Sequence, residues 1–187
     1  MNSKAFFLFL VFFISMSAAF SQQAEVCYNP NLIKDTTKKS IKSLAVGVIN
    51  GDSIIVAYHS PGVRKRVIWG GLVPYDEVWV TGAHDATTIN FADPVVINGQ
   101  SIPAGRYAFF TIPGKSEWTL ILNKHWKQHL ASEYDEKDDV VRVKVKPKKN
   151  IHTERLQYFI VQEKDKSAKL VVAWEQVKVE LPFIVQK

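Results

Sequence analysis

The chain has 187 residues, 24 of them basic and 18 acidic, a formal charge of +6, and one cysteine. A lone cysteine excludes an internal disulfide framework and the paired-cysteine zinc sites. The positive excess is diffuse: its densest runs, RKR at 64–66 and KVKPKKN at 144–150, read as solvated turns or edge strands and not as a nucleic-acid surface.

In chain order, the opening MNSKAFFLFLVFFISMSAAFSQQ has a basic Lys4, an apolar run Ala5–Phe20 and small residues at Ala19 and Ser21. A core of about 16 residues is shorter than the roughly 20 of a spanning helix. The pattern predicts a cleaved secretory signal over residues 1–21, and so a secreted or periplasmic protein with no transmembrane segment left after cleavage. Without Lys4, 23 basic and 18 acidic residues remain, a formal +5. Residues 22–42 carry little pattern and read as a lead-in; Cys27 within it is a free or intermolecularly paired thiol, or a small residue with no role.

Residues 43–187 read as one domain dominated by period-two alternation. VINGDSII and VINGQSI each carry Asn-Gly, at Asn50-Gly51 and Asn98-Gly99, which favours two-residue type I′ hairpins. RYAFFTI and EWTLIL flank the turn IPGKSEW. KHWKQHLASEY (124–134) is the best helix candidate, one to three turns long, and DEKDD (135–139) is a solvated charged turn. VRVKVK (141–146), RLQYFIV (155–161), AKLVVAW (168–174) and VKVELPFIV (177–185) are strands, the last with Val177, Val179, Leu181, Phe183 and Val185 on one face; EKDKS (163–167) is a turn. Roughly ten strands with hairpin connections and at most one short helix predict an all-β antiparallel sandwich, jelly-roll-like or immunoglobulin-like, with a closed barrel as the alternative.

The functional candidates centre on RVIWGGLVPYDEVWVTGAHDATTINF (66–91). Its aromatic residues Trp69, Tyr75 and Trp79, with Thr81, His84 and Asp85, read either as a core-capping corner or as a ligand-binding floor and rim for a small polar or carbohydrate ligand or a cell-envelope partner. Neighbours on a strand point oppositely, so a His84 that faces the corner sets Asp85 facing away. The enzymatic alternative is a hydrolase assembled from His84, Asp85 and the distant Glu175; a scaffold without ligand is the third reading. His125 and His129 would share a face if HWKQH were helical, with Glu133 or Asp135 to complete a metal site, but the zinc-protease glutamate is replaced by Trp126. His59, His84 and His152 are scattered. Ser60, beside His59, sits in a Pro-Gly turn, a poor setting for a nucleophile. No nucleophile elbow, phosphate loop or calcium loop occurs, so no cofactor is implied.

The motifs YHSPGVRKRVIWGGLVPYDEVWVTGAHDATTINF, PAGRYAFFTIPGKSEWTLILNK, YDEKDDVVRVKVKP and the late WE, in this order, resemble the DUF2911 family of secreted Bacteroidetes-type proteins, from about Leu44 to Val185. The resemblance implies a secreted all-β domain from a bacterium and brings no established activity. The family pattern W-R-T-G-A-N-E-A-T stands here as Trp79 to Thr87, with Val80 in place of the arginine and His84-Asp85 in place of Asn-Glu. HWKQHLAS replaces the family's tryptophan-glycine after the NK strand end. Any family site built on that arginine and glutamate would lose its guanidinium in this chain and keep a shorter carboxylate.

Overall fold

The computed structural model describes residues 39–186. The predicted export signal, most of the lead-in and Cys27 lie outside the described residues. Strand β1 (Ser40–Ile49) pairs with β2 (Asp52–Pro61); β3 (Thr87–Phe91), β4 (Val95–Ile97), β5 (Gln100–Ile102), β6 (Gly105–Ile112), β7 (Trp118–Asn123), β8 (Asp139–Val145), β9 (Lys148–Lys164) and β10 (Ser167–Val185) follow. They form two antiparallel sheets, ordered β1-β2-β3-β6-β7-β8 and β5-β4-β10-β9, layered as an all-β sandwich. The sheets keep separate edges, so the closed-barrel alternative is not adopted. Strand β1 opens at Ser40, inside the segment read as a lead-in.

Alternation explains the layering. Ile54, Val56 and Tyr58 of β2, Tyr107 and Phe109 of β6, and Val179, Leu181, Phe183 and Val185 of β10 all enter one core between the sheets. Fully burying each such side chain stabilises by about 1.5–3 kcal/mol. Both Asn-Gly pairs form two-residue turns with positive φ at each position: 53° and 87° at Asn50-Gly51, 50° and 79° at Asn98-Gly99. The runs 168–174 and 177–185 are one strand, β10, whose register shifts on both sides of Glu175, a residue with φ 54°.

The helix expected over 124–134 does not form. Only Ala131–Glu133 makes a 3₁₀ turn, followed by a second at Glu136–Asp138. The backbone groups of this stretch are used elsewhere: Lys124 N–H donates to Asp138 O, Gln128 O accepts from Ala86 N–H, and His129 N–H donates to the Glu133 carboxylate. Asn123, fully buried at the end of β7, organises the loop. Its amide donates to Asp135 O and Asp139 Oδ1, and its oxygen accepts from His125 N–H and Gln128 Nε2.

Two long connections, 62–86 and 124–138, reach the outer face of the six-stranded sheet. They cover its β6–β7 half with a second apolar cluster of Val80, Ala86, Ala108, Phe110 and Ile121, closed by Ala131 and Tyr134. Val80, at the family's arginine position, is thereby buried. The outer face of β1 and β2 stays open, with Leu44 48%, Val48 56% and Ile55 36% exposed. A cleft lies at the step between the covered and open halves. Among the described residues no helix is long and apolar enough to cross a membrane.

Candidate functional site

The aromatic corner is mostly core. Trp69 packs against Trp79, Trp118 and Trp174 with centroids 6.0, 4.9 and 5.9 Å away, and Trp79 stacks on Trp174 at 5.7 Å and 20°. Four indoles from three stretches of chain, the 62–86 connection, β7 and β10, thus close one end of the sandwich. Tyr75 lies over Gly70, whose φ is 76° and whose missing side chain leaves room for the ring; a Cβ there would sit 2.8 Å from it. Neither Trp69 nor Tyr75 lines either of the two cavities described below.

Thr81 is not a rim residue. It is fully buried, with φ 52°, and its hydroxyl donates to Trp79 O and shares a second hydrogen bond with the Thr111 hydroxyl. Its carbonyl accepts from the Thr87 hydroxyl at 3.0 Å and from Tyr158 OH at 2.5 Å. A β-branched residue in the left-handed region is strained, and these bonds hold it there. Ser60 is likewise structural: fully buried, it donates to Leu156 O.

His84, at φ 62°, and Asp85 face different cavities. His84 lines a cavity of about 290 Å³ floored by Trp79 and Trp174, and its Nε2 shares a 2.8 Å hydrogen bond with Ser40 Oγ. Asp85 lines the larger cleft, about 540 Å³. The floor of this cleft is the open outer face of β1–β3, contributed by Lys42, Ala57, His59 and Thr88. Its wall is the irregular loop, with Trp126, Gln128 and His129.

An imidazole–carboxylate pair spans floor and wall. His129 Nδ1 donates to Asp85 Oδ1 at 2.8 Å. That bond, helped by the charges of His59, His129 and His84, holds the Asp85 carboxyl below its ordinary range. His129 Nε2 has no partner among the described residues. His59 sits 5.2 Å from the His84 ring, edge to face. Burial, then the His84 charge, push its pKa down, while Asp85 pulls the other way. The Gln128 side-chain oxygen is buried in this region without a partner. Trp126, 39% exposed, carries the Arg106 guanidinium 4.8 Å from its ring centroid.

The other predicted combinations are not assembled. Glu175 accepts from Gln176 N–H at the bulge and makes no hydrogen bond or ion pair with His84 or Asp85. His125 and His129 are not one face of a helix: His129 is bound to Asp85, and His125 does not line the cleft. Among the described residues no cluster of three or more His, Cys, Asp or Glu could hold a metal ion. His129, Gln128 and Trp126 are the cleft residues that a local reading did not join to Asp85. The partner lies 44 residues away, and no local spacing encodes that.

No curated protein and no solved structure matches the chain. A family model described as a protein of unknown function, DUF2911, matches residues 40–183, the whole sandwich from the first residue of β1 almost to the end of β10. The chain belongs to the DUF2911 family.

Proposed function

We propose that this is a secreted or periplasmic domain that binds a small, hydroxyl-rich ligand, carbohydrate in class, in the cleft between the outer face of β1–β3 and the loop after β7. The observation that carries the reading is the cleft's lining. About 540 Å³ is within the range of small-molecule sites. The buried Gln128 oxygen needs a donor, the ionised Asp85 is a strong acceptor, and His129 Nε2 is free to donate or accept. Trp126 offers an apolar ring beside them. Hydroxyl groups on a partly apolar ring match that combination better than a purely ionic or purely apolar ligand. The contact surface thus moves from the tryptophan corner to its neighbour, keeping Asp85 as the shared residue.

The test is a thermal-shift and fluorescence screen of the mature protein against a glycan panel. A ligand that binds only the folded state raises the melting temperature, by the equivalent of about 2.7 kcal/mol at a hundred times its Kd. Asp85→Asn should weaken a hit about ten- to hundredfold, the loss of a charged hydrogen bond, and Trp126→Ala about tenfold. No shift across the panel, or hits indifferent to both variants, would sink the reading.

The Asp85–His129 pair favours a second reading, hydrolysis with His129 as general base on a water molecule. It stands behind because Ser60 is committed to Leu156 O and both members of the pair are more than half exposed. Product analysis after incubation with any bound glycan separates the two: cleavage lost in His129→Gln would establish the enzyme.

A further inference from the structure

We propose that the smaller cavity, floored by Trp79 and Trp174, is a second binding site, and that it takes the carboxylate of a small organic acid with an apolar body. The inference does not rest on the cleft reading. The cavity of about 290 Å³ is close to the smallest small-molecule sites. Its floor is the part-exposed Trp79, with the buried Trp174 stacked against it, an apolar patch suited to a ring or a short hydrocarbon. Its rim carries Lys39, Arg66 and His84, and no acidic side chain lines it among the described residues.

Two donors in this lining are unspent. Arg66 gives Nε to Val63 O and Nη2 to Gly62 O, which fixes the guanidinium plane and leaves Nη1 without a partner among the described residues. Trp174 is 1% exposed, yet its Nε1 has no hydrogen-bond partner there either. A buried donor left without an acceptor is costly, and such groups in native proteins call for a physical reason. An indole N–H can only donate, so what satisfies it must be an acceptor. Three basic groups with no neighbouring acid make that acceptor negative. A carboxylate presents two oxygens to one N–H and one guanidinium edge. The further oxygens of a phosphate would be left against indole carbons.

The experiment titrates the mature protein with benzoate, with its uncharged isostere benzamide and with inorganic phosphate, read by calorimetry and indole fluorescence. Benzoate should bind, benzamide at least tenfold more weakly, and rising salt should weaken benzoate. Trp174→Phe keeps the ring and removes the N–H; it and Arg66→Gln should each cost about tenfold or more in benzoate affinity. Trp126→Ala, in the other cleft, should leave that affinity unchanged, so failure of this site and failure of the cleft reading are told apart. Should Trp174→Phe lose the native circular dichroism spectrum, Arg66→Gln and His84→Gln carry the same comparison. Equal binding of benzoate and benzamide, phosphate matching benzoate, indifference to the Trp174 and Arg66 variants, loss of binding in Trp126→Ala, or no benzoate binding at all would each overturn the proposal.

Discussion

Replacing Gly47 by alanine should wedge the two sheets apart where β1 faces β9. Gly47 lies opposite Ile54 in the hairpin and points into the sandwich. A Cβ built there falls 2.5 Å from Ile160 Cγ2 and 2.6 Å from Ile160 Cβ. Carbons in contact sit about 3.5–4.0 Å apart, so one sheet must give way by about 1 Å. The neighbour met is not just a flexible tip, because Cβ of Ile160 is fixed to the β9 backbone. Overpacking of this kind costs about 1–3 kcal/mol, offset by about 0.4–1 kcal/mol from stiffening the unfolded chain. The expected net loss is about 1–2 kcal/mol, read as a lower urea midpoint with an unchanged slope. In an Ile160→Gly background, which removes Cβ as well as Cγ2, the added methyl has room, and the cost of Gly47→Ala should nearly vanish, a coupling of about 1–2 kcal/mol. A Gly47→Ala protein within about 0.5 kcal/mol of the native one, or the same loss in both backgrounds, would refute the close approach of β1 and β9.

Tyr158→Phe removes one of the two hydrogen bonds to the carbonyl of Thr81. Since the Thr87 hydroxyl remains, the loss should be that of one hydrogen bond, about 0.5–1.5 kcal/mol by urea unfolding, and not the larger penalty of an orphaned group. A neutral Tyr158→Phe would show that the left-handed Thr81 needs no such support. His59 gives a pH signature. Its folded pKa lies below the ordinary value, chiefly through burial. The neutral ring is therefore favoured in the folded state. Its contribution is complete above the unfolded value of about 6.5 and is lost as pH falls through the folded value. Melting temperatures from pH 8 to 5 should decline less steeply in His59→Gln; equal slopes would show that His59 does not titrate this way.

Much of the frame was legible because alternation reports faces directly. Val179, Leu181, Phe183 and Val185 enter the core as their spacing requires, and both Asn-Gly pairs adopt the turns their tolerance of positive φ allows. What alternation cannot report is which strands meet. Trp118 and Trp174, on strands from opposite sheets, therefore gave no local sign of joining Trp69 and Trp79. The loop after β7 misled for a related reason. His125 and His129 have helical spacing, but the buried Asn123, the backbone of Asp138 and the Ala86 N–H take the groups that a helix would need for itself. The same tertiary capture put His129 on Asp85 and dissolved the imagined histidine pair. Thr81 looked like a rim hydroxyl because nothing local shows that Tyr158, 77 residues away, would seat it in the interior.

The cleft has a composite origin. Its base is pleated sheet locked by the central core, whereas its other side is coil anchored by a handful of hydrogen bonds to the Asn123 side chain and the Ala86 N–H. Exchange within residues 125–130 would therefore change the wall of the cleft while Ala131 and Tyr134 keep their places on the second apolar cluster. A protein engineer wishing to graft new recognition onto the scaffold would cut there first.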